Sequence, residues 1–166
     1  MASSFRHSAG FGKRIEYWVV GLMLKAGLDV YLPLVDDDAI DAVIKLENGN
    51  FIEVQIKARS SDVVMGSGAF FAALKHEYRE NYWFVFYSER LNMIWILSSE
   101  ELIQESVKNK TGNNIGKHAI GFNGTKTDKI TQEKYEYPKE RFDKYVCKNK
   151  DFLRFKNLGK LDKNSN

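Results

Sequence analysis

Residues 41–57, DAVIKLENGNFIEVQIK, read as a β-hairpin whose first strand opens on an acid and whose second ends in Gln-x-Lys. Ile52, Val54 and Ile56 alternate with Glu53, Gln55 and Lys57, so one strand face is apolar and the other carries three polar heads in a row. Within a sheet, each such head left without a partner costs roughly 1–3 kcal/mol, which asks for a purpose. The turn decides what the strands bring together. Glu47-Asn48-Gly49 suits a three-residue loop closed by a glycine in the left-handed region. Leu46 then flanks the turn opposite Asn50, and counting outward sets Asp41 across from Gln55, with Lys57 one alternation further. A two-residue Asn48-Gly49 turn would pair Asp41 with Ile56 and carry the acid to the other face. The site exists only with the bulged turn, and that turn is the one expected.

An acid, an amide oxygen and a lysine on one face suit metal-dependent phosphodiester cleavage. Mg2+ (or Mn2+) takes oxygen donors and keeps several waters, so one carboxylate, one amide oxygen and a substrate phosphate can hold it. A lysine beside it can orient the attacking water or stabilise charge growing on the phosphate. Glutamine in place of a second acid lowers the negative charge, and metal binding then depends more on the phosphate.

Asp41, thirteen intervening residues and Gln55-Ile56-Lys57 resemble the Asp…(Glu/Gln)-x-Lys signature of the PD-(D/E)xK nuclease superfamily in its Gln-x-Lys form, and within it the group I intron-associated and Holliday-junction-resolvase-like branch. The likeness spans residues 10 to 100 and includes Glu16, on the helix before the first core strand. It implies a restriction-endonuclease-like α/β fold, a mixed sheet flanked by helices with an α-β-β-β-α-β core. It also implies metal at Asp41, Gln55 and Glu16, a catalytic Lys57, DNA as partner, and a homodimer, since one site cuts one strand. Two departures stand out: no proline precedes Asp41, and Glu53 offers a competing ligand two residues before Gln55. Arg59, just past the motif, and Lys13 and Arg14, on the first helix, are candidate phosphate contacts. The plain alternatives stay open: Glu16 as a solvated helix residue, Asp41 as a strand-end acid, Gln55 and Lys57 on a wet strand face. A catalytically silent nucleic-acid-binding or assembly module is the alternative function.

The rest of the chain fits a small enzyme domain. Its 166 residues are 43% apolar and 13% aromatic, enough for one core. The single cysteine, Cys147, forms no disulfide framework and points to a reducing compartment; no secretory leader or apolar span of about 18 residues appears, so a cytoplasmic, membrane-free protein is expected. Periodicity gives a first helix over 9–26 capped near Ser8, a strand over 28–34, a solvated acidic loop at Asp36, Asp37 and Asp38, a mobile loop over 59–68 and a helix over 69–82. Two β-prone runs, YWFVFYSE and LNMIWILS, precede a helix over 99–108 with a Ser-Ser-Glu-Glu start. Residues 1–108 form the nuclease-like core. Residues 109–166 form a polar, basic extension packing on it, with a short strand over 118–122. From Lys139 to Asn166 nine Lys or Arg face four Asp or Glu, interleaved with Phe142, Tyr145, Phe152 and Phe155, which are read as core residues beneath solvated lysines. His7, His76 and His118 lack metal-ligand spacing, so zinc is not expected. With a net charge of only +3, any nucleic-acid surface must be local.

Overall fold

The alternation in the second hairpin strand separates two cores. In the computed structural model, which describes residues 5–35 and 37–161, β1 (Asp29–Tyr31), β2 (Ala42–Lys45), β3 (Phe51–Arg59), β5 (Tyr82–Ser88) and β6 (Met93–Ser98) form one mixed sheet in the order β1-β2-β3-β5-β6. Only β3 and β5 run parallel. Ile52, Val54 and Ile56 face Ala42, Ile44 and Val85 and are buried against Val19, Val20 and Met23 of α1 (Phe5–Lys25) and Phe152 and Phe155 at α3 (Leu153–Leu161). On the opposite face, Gln55 pairs with Phe84 and Lys57 with Phe86. There Phe84, Phe86, Trp95 and Leu97 pack against a second sheet of β4 (Phe70–Leu74), β8 (His118–Gly121) and β7 (Val107–Lys108). Between α2 (Ser99–Glu105) and the chain's last helix runs a separate antiparallel pair, β9 (Asn123–Thr127) and β10 (Lys134–Pro138).

The expected mixed α/β sheet flanked by helices is observed, with one correction to the order of elements. The helix expected over 69–82 is absent: Phe70–Leu74 is strand β4, and residues 75–81 carry no helix, so six strands follow α1 before α2. The alanines there favour helix, but propensity is a weak preference and tertiary partners capture the backbone instead. Arg59 Nε donates to Phe70 O at 2.7 Å and Asn109 Nδ2 to Ala72 O at 2.9 Å, taking carbonyls a helix would use. Phe71 and Leu74 are buried, Phe71 with its ring 4.8 Å from that of Phe86.

Smaller differences have similar causes. α1 already runs through Ser8, so Ser8 does not cap it. α2 ends at Glu105, three residues early, because Val107 and Lys108 pair with β8; its start is a capping box in which Ser98 Oγ accepts the Glu101 N–H and the Glu101 carboxylate accepts the Ser98 N–H. Phe142, Tyr145, Phe152 and Phe155 are buried, as is Cys147. Asp37 and Asp38 are exposed, while Asp36 lies outside the described residues. No helix among the described residues is long and apolar enough to cross a membrane.

Two histidines join the second sheet to α2. His76 Nε2 lies 2.7 Å from Ser99 Oγ, stacks on Tyr82 and meets Phe84 edge-on, and His118 Nδ1 lies 2.7 Å from Ser106 Oγ. Burial, helped by nearby His118 and Arg79, pulls the His76 pKa down to about 4 from 6.5. The folded ring stays neutral where the unfolded one protonates, so the unfolded state binds more protons and stability falls as pH drops from 6.5 towards about 4. After discounting for the half-exposed ring, the loss should be about 1–2 kcal/mol. Urea unfolding of the parent and of His76→Gln across that window should show a shallower pH dependence in the variant; parallel curves would mean that His76 is not the titrating group.

Candidate functional site

The hairpin turn fixes the site. Gly49 sits at φ 89°, Leu46 N donates to Asn50 O at 2.7 Å, and Gly49 N to Leu46 O at 2.9 Å. Pairing then runs Lys45 with Phe51, Ile44 with Ile52, Val43 with Glu53 and Ala42 with Val54. This is the register of the three-residue loop, and one further step sets Asp41 beside Gln55. There the ladder ends. Asp41 N still reaches Val54 O at 2.9 Å, but the next N–H of β3 on that edge, Ile56, donates to Asp41 Oδ2 at 2.6 Å. The carboxylate thus takes the place of a strand carbonyl.

The approach to Asp41 is held under strain. Asp38 and Ala39 both have φ 57°, where a non-glycine residue costs roughly 1–2 kcal/mol. Two bonds from the polar face of the sheet hold them: Arg79 Nη1 donates to Asp38 O at 2.8 Å and the Tyr82 hydroxyl to Ala39 O at 2.5 Å. Burial pushes the Tyr82 pKa up, keeping the phenol a donor.

Helix α1 brings Glu16 to the same place. Lys13, Glu16, Tyr17 and Val20, at helical spacing, line a cleft of about 50 Å³ with Leu32, Pro33, Ile40 and Asp41. Glu16 Oε2 accepts from Lys13 Nζ at 2.8 Å, and Lys13 also lies 5.7 Å from the centre of the Tyr17 ring. Glu16 and Asp41 therefore share a cleft, which Gln55 and Lys57 do not line. Gln55 and Lys57 are half-buried on the neighbouring strand, and among the described residues their side chains make no hydrogen bond or ion pair.

The remaining candidates have other partners. Glu53 is bound to Arg79 at 2.5 Å, and that guanidinium also stacks 4.2 Å from the Tyr82 ring centre. Arg59 is spent in part on the Phe70 carbonyl, and Arg14 is exposed on α1 outside the cleft. Sequence reading named Lys13 as a phosphate contact but not as the partner of Glu16, although the two stand three apart on one helix. It also missed Arg79, whose partner is 26 residues away with no local pattern to betray it. Among the described residues no group of three or more His, Cys, Asp or Glu could hold a metal. What is present is two carboxylates with an amide-bearing strand alongside: hard oxygen donors that suit Mg2+ or Mn2+ and not a thiolate-loving ion.

No family model matches the chain, and no curated protein matches it. Among solved structures it is similar to a bacterial homing endonuclease, I-Ssp6803I, with a TM-score of 0.60 and 19% sequence identity over 93% of this chain and 96% of that one. At that identity the likeness is one of fold.

The part that Asp41 plays in the fold can be tested by substitution. Asn keeps an oxygen for the Ile56 N–H and removes the charge, whereas Ala orphans that N–H. Asp41→Ala should lose about 1–3 kcal/mol of stability and Asp41→Asn much less. Equal losses in thermal or urea unfolding would mean that the Ile56 bond does not support the fold.

Proposed function

We propose that the chain is a divalent-metal-dependent deoxyribonuclease, and the observation that carries this reading is the convergence of Glu16 and Asp41 in one cleft, with Asp41 beside the Gln55-Ile56-Lys57 stretch of β3. The fold it shares with a bacterial homing endonuclease supports the same reading. The donors fit Mg2+ or Mn2+, which Glu16 and Asp41 would hold in their cleft of about 50 Å³, with the Gln55 amide oxygen of the adjoining strand, outside the cleft lining, as the third donor. Glu53 is left out of this set because Arg79 already neutralises it. When bound, such an ion lowers the pKa of a coordinated water and offsets phosphate charge.

The chain's own residues do the rest. Lys57 projects from the Gln55 face with no partner among the described residues, so its ammonium is available to orient the attacking water and to donate to a phosphate oxygen as negative charge builds there. Asp41, fastened to the backbone through Oδ2, keeps its position without rearrangement during reaction. Lys13 offers a positive charge beside Glu16, a contact for an incoming phosphate once Glu16 turns to metal. Arg59 and Arg14 lie on the flanks as further phosphate contacts. Because one site cuts one strand, cutting a duplex takes two copies.

Plasmid DNA incubated with Mg2+ or Mn2+ should be nicked or cut, and EDTA should stop it. Lys57→Ala should slow cleavage by about 100-fold or more while leaving DNA binding and unfolding close to the parent's. A variant that cuts at the parent's rate would remove Lys57 from the mechanism, and a parent that binds DNA yet cuts none is a binding module. Metal affinity without DNA should be weak, because Lys13 already occupies Glu16. Calorimetry with Mg2+ should therefore find tighter binding in Lys13→Met than in the parent. Equal affinities would place the metal away from Glu16.

A further inference from the structure

Between Phe122 and Lys139 the chain leaves the body of the protein as a two-stranded ribbon. Among the described residues β9 and β10 pair only with each other, from Asn123 with Pro138 at the foot to Thr127 with Lys134 near the tip. Asp128 excepted, residues 125–135 are exposed. Two antiparallel strands of five residues extend about 17 Å. Such a ribbon is one of the two elements that the major groove of duplex DNA, about 12 Å wide, admits.

Its chemistry suits that groove. Lys126, Lys129 and Lys134 give the exposed part three cations, and Thr127, Gln132 and Tyr135 add hydrogen-bonding heads. Of its two acids, Asp128 is turned onto the ribbon's own turn, where Oδ1 accepts the Ile130 and Thr131 N–H groups at 2.8 Å each.

The foot of the ribbon is built into the end of the sheet that carries Lys57. Glu136, with its side chain 1% exposed, accepts from Gly66 N, Gly68 N and Arg90 Nη1 at 2.5, 3.2 and 2.6 Å. Asn123 bonds Gly66 O and Ala69 N. That loop leaves β3 just past Lys57, and Ser88, the partner of Arg59 at the end of β5, donates to Gly68 O at 2.7 Å. β8, from which the ribbon continues, packs on the Phe84 and Phe86 face, the one that Gln55 and Lys57 share. The ribbon and Lys57 thus lie at one end and one face of the sheet.

We propose that the β9–β10 ribbon is the DNA-reading arm of the protein, entering the major groove beside the phosphate that Lys57 addresses. The proposal rests on the DNA reading of the site and goes beyond it in naming the groove and the element. The ribbon supplies the contacts to bases and flanking phosphates, while the buried Glu136–Arg90 knot holds it in fixed relation to the catalytic strand.

The test uses the full chain, the triple variant Lys126→Ser, Lys129→Ser, Lys134→Ser, and two probes: a plasmid-derived duplex, and the same duplex with glucosylated hydroxymethylcytosine, whose sugars fill the major groove. Binding is read by gel shift in EDTA and again with Mg2+, over a salt series. The parent should bind the glucosylated duplex at least about tenfold more weakly than the plain one. In the triple variant that preference should shrink, and the slope of log affinity against log salt should fall by about 2–3, roughly 0.9 for each phosphate that is no longer neutralised. A parent that binds both duplexes equally, or a variant with unchanged slope and preference, would overturn the ribbon's role while the DNA reading stands. A parent that binds no duplex under either condition would sink the DNA reading and this proposal together.

Discussion

The register of β2 on β3 is the constraint on which the rest depends. The loop with Gly49 at φ 89° selects it, for a side chain there would cost roughly 1–2 kcal/mol. The core enforces it. A slip of one residue would turn Ala42 and Ile44 out of the α1 face and bring Val43 and Lys45 in, exposing side chains worth about 1.5–3 kcal/mol each for the larger ones. The turn therefore needs only to bias the choice, and the apolar alternation makes it final. With the register set, the acid that opens β2 is placed at the one point on β3 where the ladder runs out.

That placement gives the Asp41 side chain a structural duty. Its Oδ2 accepts the Ile56 N–H where a strand carbonyl would otherwise stand. The bond fixes the side chain where Glu16 approaches from α1. Its cost is displaced to the preceding loop, where Asp38 and Ala39 adopt positive φ and are held by Arg79 and Tyr82. Arg79 in turn explains Glu53. A guanidinium that holds a positive-φ loop and stacks on a ring also pairs with the Glu53 carboxylate, so the partner of Glu53 is a residue with no sequence link to it.

What could be read in advance was what local periodicity controls. The hairpin, β5, β6 and the Ser98–Glu101 capping box each follow from residues within a few positions of one another. The helix expected over 69–82 failed although its residues favour helix, because intrinsic propensity is easily overridden and its competitors are distant: Arg59 and Asn109 take its carbonyls, and β8 takes its edge. β9 and β10 escaped notice because their tips are polar on both faces, so no hydrophobic alternation marks them. The alternation of Tyr135 and Tyr137 in KYEYP was the one available signal, and the preceding run of Gly, Thr and Lys masked it.

The knot at the ribbon's foot shows what such distant partners achieve. Arg90 and Glu136 are 46 residues apart, and burying the pair gives little net stability, since desolvation offsets most of the attraction. Glu136 Oε2 is moreover buried without a hydrogen-bond partner among the described residues, a penalty of about 1–3 kcal/mol, and a Cβ on Gly68 would fall 2.0 Å from it. An apolar contact would serve stability better. What the ion pair adds is direction: Arg90 also donates to the carbonyls of Ser61, Val63 and Val64, and Glu136 accepts from Gly66 and Gly68, so the whole loop after Arg59 is held by side-chain bonds of defined geometry. The loop leaving the strand of Gln55 and Lys57 and the foot of the ribbon thus share one set of directed bonds, through Glu136 and Asn123, which ties that foot to the end of the strand.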